Sequence, residues 1–313
     1  MSGAQRWVKK GRIFAPEGNS DWLFSHAALP VADRIGEVYR IYFSSRDKYD
    51  HARIGYFDID LRAPDRVLRL SDKPVVGLGP LGAFDDSGVT TSWIVTHDQK
   101  KYHYYSGWSL GRTVPFYFFV GLAISKDGGQ TYVRVSPAPI LERNIIDPYL
   151  TASPCVLVEG NTWRMWYVSG TGWDAHEGRP RHHYHIKHAQ SSDGIHWKRE
   201  GIVCIDYQSP EEYAIARPCV IREGGLYKMW YSYRGNNYRV GYAESVDGLN
   251  WTRKDRESGI EVSASGWDSE MIEYPYVFEH KGRHYMLYNG NGYGRTGIGL
   301  ALLEPNDGQL GPL

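Results

Sequence analysis

Hydrophobic and polar positions alternate in short runs along this chain, and the runs come in a repeating order. Five segments open with a small or polar residue, usually followed by proline, and continue into an apolar stretch: HAALPV, TTSWIV, TASPCVLV, AIARPCVI and IEYPYVF. After a turn comes an aromatic run, YRIYFSS, YHYYSGW, WRMWYVSG, YKMWYSYRG or HYMLYNGNG, and then a third run, RIGYFDID, FVGLAISKDG, HIKHAQSSDG, RVGYAESVDG or GIGLALLE. Period-two alternation over such short runs predicts strands, and nothing of length has the spacing of an amphipathic helix. Aligned on Ile54, Val120, Ile186, Val240 and Ile298, the third runs recur after 66, 66, 54 and 58 residues. That period suits a four-stranded blade with variable loops.

A fourth strand is predicted after the turns SSDGIHW and SVDGLNW, at WKREGIVC (197–204) and WTRKDRES (251–258). The fifth repeat has no such continuation, but WVKKGRIF (7–14) matches WKREGIVC in its Trp, basic residues, Gly and apolar tail. The expected fold is therefore all-β, a five-bladed β-propeller closed by the N-terminal strand, with residues 1–313 forming a single domain. Closure of this kind removes the exposed edges of a ring of sheets. The turn SKDGGQTY (125–132) fits the S-x-D-x-G-x-T-aromatic pattern of an Asp box, whose Ser and Asp bond the turn backbone.

Composition narrows the partners. Lys plus Arg equals Asp plus Glu at 36 each, so no net field steers the chain to nucleic acid or an anionic membrane. Cys155, Cys204 and Cys219 are few and odd in number, and Cys155 and Cys219 follow the proline in two repeats, so they read as small core residues. No signal peptide and no apolar run of membrane-spanning length is visible, which predicts a cytoplasmic protein. The sequence leaves the oligomeric state open. Trp (11) and Tyr (24) outnumber Phe (9), a bias toward half-buried strand faces and walls on which sugars stack.

In a propeller, the loops approaching each innermost strand and the loops between second and third strands converge on one face. Counting back seven positions from Trp93 and from its counterparts Pro154, Pro218 and Pro275 gives Asp86, Asp147, Glu211 and Asp268. An acid repeated at one offset is most simply a device for building blades. Polar residues outside the repeat are His26, Ser92, Ser153, Glu212, Arg217, Glu270, Glu273 and Tyr274, and the other loops add Arg46, Arg179, Arg181, Arg234, Arg295 and two asparagines. With rings such as Trp93, Trp108 and Trp173, these side chains are what a sugar pocket needs, the rings for stacking and the polar groups for directed hydrogen bonds. His182, His183, His185 and His188 invite a metal reading, but no Cys or neighbouring carboxylate completes a ligand set, so no metal site is expected. No dinucleotide, Walker, zinc-protease or nucleophile-elbow motif is present, and no cofactor is implied.

Through its repeated P-x-V, MWY and GYAESVDGLNW elements, nearly the whole chain resembles the five-bladed β-propeller glycoside hydrolases and their relatives, the arabinanase, xylosidase and invertase-like group of families 43, 32 and 130. That resemblance implies a small-molecule carbohydrate substrate. In several of these families the Glu of an E-x-P motif is the general acid, and Glu273-Tyr274-Pro275 matches it. Asp86, Asp147 or Glu212 would then be base or nucleophile, with His26, Arg46, Ser92, Trp93, Ser153, Arg217, Arg234 and Tyr274 binding substrate. The chain departs from the group where an Asp is usual before the first-blade proline, since Leu29 precedes Pro30. Three activities follow as expectations: hydrolysis of a glycosidic bond, its phosphorolysis, or carbohydrate binding without catalysis.

Overall fold

The computed structural model describes residues 5–18 and 20–304 and is almost entirely β-structure. β1 (Trp7–Phe14) precedes four antiparallel groups: β2 (Ser25–Ile35), β3 (Val38–Arg46), β4 (Ala52–Asp60) and β5 (Ala63–Leu70); β6 (Gly88–His97), β7 (Lys100–Leu110), β8 (Phe116–Ser125) and β9 (Val133–Arg134); β10 (Thr151–Glu159), β11 (Thr162–His176), β12 (Arg179–Ser191) and β13 (Lys198–Ile205); β14 (Ala214–Glu223), β15 (Leu226–Arg234), β16 (Tyr238–Ser245) and β17 (Thr252–Arg253). A fifth group holds β18 (Glu273–His280), β19 (Arg283–Asn289) and β20 (Ile298–Leu303). β1 pairs with β20, from Trp7 opposite Leu303 to Phe14 opposite Ile298. The first strands of the groups touch in cyclic order, β2 to β6, β6 to β10, β10 to β14, β14 to β18 and β18 to β2. No helix of the described residues is long and apolar enough to cross a membrane.

The aromatic runs are the second strands, and they hold the core. Trp166, Trp230, Tyr42, Tyr104, Tyr167 and Tyr231 are among its largest fully buried side chains. β3 is buried at seven consecutive positions, because it has packed neighbours on both faces. The Asp-box turn forms as the sequence predicts, with Ser125 Oγ donating to Asp127 and Asp127 accepting from the Gln130 and Thr131 amides. Ser191 with Asp193 and Ser245 with Asp247 repeat it.

Each first strand carries a bulge at the same place. Pairing with the second strand shifts between Ala28 and Val31, Thr91 and Trp93, Ala152 and Cys155, Ala216 and Cys219, and Glu273 and Tyr276. In four groups the residue before the repeat proline takes a left-handed backbone, φ 55° at Leu29, 45° at Ser153, 56° at Arg217 and 56° at Tyr274. Such angles are uncommon outside glycine, and bulges serve to re-aim side chains. The bulges are clasped by the preceding group: amides of Thr91, Ser153 and Tyr274 donate to Ser44, Ser106 and Ser232 Oγ, and that of Leu29 to Asn289 Oδ1, each at 2.8 Å. Val168, two residues past Trp166 as Ser232 is past Trp230, has no acceptor to offer the bulge at Arg217.

Asn289 also donates to the Ala27 and Gly297 carbonyls, at 2.6 and 2.9 Å, so one buried amide stitches the fifth group to the first. Asn289→Ala takes the side-chain partner from the Leu29 amide and the Ala27 carbonyl, and buried unpaired groups cost about 1–3 kcal/mol each. The expected outcome is an earlier chemical-denaturation midpoint; an unchanged midpoint would remove the amide from the account of how the two groups are joined.

Strand pairing corrects the sequence register of the second group. Trp93 faces Tyr104 as Cys155 faces Trp166, so Ser92, not Trp93, stands where the prolines stand elsewhere. The repeated acid is accordingly Asp85, not Asp86. Asp85, Asp147 and Asp268 each accept a hydroxyl bond from the Tyr of their own second strand, Tyr105 at 3.0 Å, Tyr167 at 2.9 Å and Tyr288 at 3.0 Å. Each also meets a cation from an outer strand, Arg134 at 2.8 Å, Arg199 at 3.1 Å and Lys9 at 2.7 Å. In the fourth group Asp255 takes the place of this acid, with Tyr231 and Arg253 as partners.

Candidate functional site

The bulged ends of the first strands surround a cavity of about 150 Å³. Bulge residues Leu29, Ser153 and Tyr274 line it, together with Ser44, Ser106 and Val168 of the second strands. The clasp that fixes each bulge is thus also the cavity wall. Small side chains make the room, since Ala28, Ala52, Ala152 and Ala216 lie where anything larger would fill the space. His26, Arg46, Thr90, Tyr184 and Tyr293 also line it, with Phe118 and Leu150.

Glu273 is the first residue of β18 and faces Asn289. It is 0% exposed, and neither carboxyl oxygen makes a hydrogen bond of ordinary geometry. Burial pushes its pKa well above the carboxylate range, against smaller opposing contributions from Arg234 and the Tyr293 amide. Tyr274, Tyr184 and Tyr238 are close enough that an ionised Glu273 would raise their pKa values. Glu273 is not among the residues that line the cavity; Tyr184, Tyr274 and Tyr293, which are, are its close neighbours. Tyr293 belongs to a short turn, Asn291–Gly294, and has a left-handed φ of 61°.

Several cations gather on this side. Arg46 borders the cavity and binds Asp50 at 2.9 Å. His26, beside Ser25 Oγ at 2.9 Å, is pushed down to about 4 by burial first and then by Arg46 and Arg295, so its imidazole is neutral at pH 7. Arg234 lies 5.3, 5.4 and 5.5 Å from the ring centres of Tyr213, Tyr238 and Tyr293.

Of the residues singled out by sequence, the cavity gathers His26, Arg46, Ser153 and Tyr274, with Glu273 next to its tyrosines. The other acids are occupied elsewhere. Asp147 is fully buried against Tyr167, Ser169, Lys187 and Arg199. Glu212 pairs with Arg253 at 2.7 Å, and Asp86 caps the Gly82 amide and the Ser87 hydroxyl. Arg217 points into the centre of the fold, donating to the Ser92 and Pro30 carbonyls; burial draws its pKa down to about 10. Ser92 Oγ meets Ser106 Oγ at 3.2 Å, and Trp93 packs on Tyr276.

Sequence reasoning missed Ser44, Ser106, Thr90, Tyr184 and Tyr293. A serine directly after the aromatic run, as in YFS, YYS and WYS, was the available signal for the first two. The histidine tract disperses: His182 stacks on Tyr184, His183 pairs with Asp174 and His185 with Asp206, while His188 lies against Trp166. Among the described residues, no group of three His, Cys, Asp or Glu is arranged to hold a metal ion.

No family model matches the chain. It is 45% identical over 299 residues, 95% of this chain and 99% of the other, to a Mycobacterium tuberculosis protein described as "uncharacterized protein Rv1502". Among solved structures it is similar to a thermostable family-43 glycoside hydrolase, with a TM-score of 0.66 and 16% identity, over 94% of this chain and 96% of that one. The catalytic domain of the Coprinopsis cinerea GH62 α-L-arabinofuranosidase gives 0.70 and 12%, over 97% and 98%. At such identities the likeness is one of fold, and the fold is that of the propeller glycoside hydrolases.

Proposed function

The chain belongs to the same family as Rv1502 of Mycobacterium tuberculosis, and from its own site we propose an enzyme that cleaves a glycosidic bond with Glu273 as proton donor. We read the strand groups as five blades of a single-domain ring, sealed where β1 completes the last blade; the cyclic contacts of the first strands support this. One observation carries the activity: a fully buried carboxyl whose oxygens make no hydrogen bond of ordinary geometry, and whose pKa burial raises well above the carboxylate range, next to tyrosines that line the cavity. An acid held in that state can protonate a leaving oxygen at neutral pH, where an ordinary carboxylate has no proton to give.

The chemistry is a transfer of the glycosyl group. The anomeric C–O bond breaks, the departing oxygen takes the Glu273 proton, and the anomeric carbon is attacked by water or another oxygen nucleophile. For the proton to reach the departing oxygen, the substrate must come against Glu273, which is not itself among the residues lining the cavity. Ser44, Ser106 and Ser153 would orient sugar hydroxyls, and Tyr184 and Tyr274 offer ring faces.

Phosphorolysis is the second reading, favoured by the cavity lining. Two carboxyl groups flank the bond in most glycosidases, yet no carboxylate of the described residues lines this cavity, while Arg46 and His26 do. Inorganic phosphate is itself a nucleophile and needs no protein base, and a guanidinium is a natural clamp for it. Turnover of aryl glycosides measured with and without phosphate separates the two. Strict phosphate dependence with release of a sugar 1-phosphate establishes phosphorolysis; free sugar formed at the same rate without phosphate establishes hydrolysis.

A further inference from the structure

A second cavity, of about 540 Å³, opens beside the first, between the tip of the β11–β12 hairpin and the ends of β14 and β15. Its lining includes Arg179, Arg181, Arg234 and His182, with Glu177 as its one acid. Arg181 is neutralised by Asp174, through contacts of 3.0 and 2.6 Å. Arg234 is not. Among the described residues it has no carboxylate partner, and its recorded hydrogen bond, to the Asn236 carbonyl, is long at 3.4 Å. Three tyrosine rings hold its guanidinium in place by cation–π contact, which orients the charge without neutralising it. His182 Nε2 is buried and has no partner. The two cavities share a wall, because the His182 ring stacks on Tyr184 (4.7 Å, 5°) and Arg234 contacts Tyr293, and both tyrosines line the first cavity.

We propose that this second cavity binds an anionic substituent, phosphate or carboxylate, of the molecule whose glycosidic bond is cleaved at Glu273, held by Arg234, Arg179 and the Nε2–H of His182. The proposal deepens the reading of Glu273 and rests on it for the place of the scissile bond. One cavity is thus lined by a half-buried guanidinium without a carboxylate partner and by an imidazole with a buried, unpartnered nitrogen, a costly combination that an anion would offset. The planar fork of Arg234 suits the two oxygens of a carboxylate or a phosphoryl group equally. The protein's own field agrees: burial first, then Arg234, His183 and Arg181, draw His182 down to about 4, and a bound anion opposes those cations. The substrate class is therefore an acidic glycan or a phosphorylated glycoside, with its charge one wall away from the reacting carbon.

The test reads His182 directly. The whole chain, with isotope-labelled histidine and His182 assigned by loss of its signal in His182→Gln, is titrated at constant ionic strength with inorganic phosphate, methyl β-D-glucuronide and uncharged methyl β-D-glucoside. Saturable movement of the His182 signal with an anion and none with the glucoside is expected. Tighter response to phosphate identifies a phosphoryl substituent, and tighter response to the glucuronide a uronate. Losing one charge-assisted contact in Arg234→Met should weaken the response about tenfold or more. Arg179→Ala, at the exposed hairpin tip, should weaken it as well and guards against a folding defect in the first variant. A response that rises without saturating, or that is as strong in both variants as in the wild type, means an adventitious ion only and overturns the proposal. Loss of turnover in Glu273→Gln alongside such a result would leave the cleavage reading standing and remove this one; saturable binding with turnover intact in Glu273→Gln would do the reverse.

Discussion

Glu273→Gln is expected to lower turnover about 10²- to 10⁴-fold, the range in which a positioned general acid contributes. The variant should fold, because Gln matches the shape of the protonated acid and its carbonyl oxygen can still accept from the Tyr293 amide. That separates catalysis from packing. If the variant retained full turnover on a substrate the wild type cleaves, the proton donor would lie elsewhere; if no turnover were found in either and sugars bound equally to both, the propeller would be a binding module. The pH dependence has a definite sign. The unfolded carboxyl releases its proton near 4.5, whereas the folded one holds it to higher pH. The stabilising contribution is complete below the unfolded value and is lost as pH rises through the folded one. Wild type should therefore lose stability relative to Glu273→Gln over that interval, and the basic limb of its activity should fall in the same place.

Asp147→Ala should show the opposite division, with a large loss of stability and an unchanged rate per folded molecule. Asp147 is fully buried and accepts from Tyr167 at 2.9 Å and Ser169 at 2.6 Å while facing Arg199 and Lys187, whose side chains are 7% and 11% exposed. Removing one partner of a buried pair leaves the other charge uncompensated, at a cost of about 3–5 kcal/mol. Denaturant titration beside kinetics on the residual folded fraction reads both quantities. A collapse of the rate with stability preserved would return Asp147 to the catalytic candidates and place a route from it to the cavity.

The repeat was legible because it is local. Period-two runs, the P-x-V elements and the intervals between Ile54, Val120, Ile186, Val240 and Ile298 are properties of neighbouring residues, and β4, β8, β12, β16 and β20 contain those positions. The second group slipped by one because TTSW has no proline to mark its bulge; only the pairing of Trp93 with Tyr104 reveals the register. The acids show a deeper limit. Sequence locates Asp147 at a fixed offset, but its meaning depends on a Tyr 20 residues on and an Arg 52 residues on, which only folding brings together. The cavity itself is written in what is small, Ala28, Ala152 and Ala216 before the bulges, and an absence of side chain attracts no attention in a search for chemistry. Glu273 was legible as E-x-P; its complete burial was not.

The pairing of β1 with β20 also has a kinetic meaning. β1 leaves the ribosome before every strand of the fifth group, yet its partner is separated from it by most of the chain, a contact of very high sequence separation. Closing so long a loop is slow, and it must come after the intervening groups have folded. Until then the free edge of β20 is a template for strand addition, open to the β1 of another molecule as readily as to its own. The nascent protein is therefore most exposed to swapping and aggregation at its final step, and dilution should raise the yield of correctly refolded chains more than it would for a fold whose ends never meet.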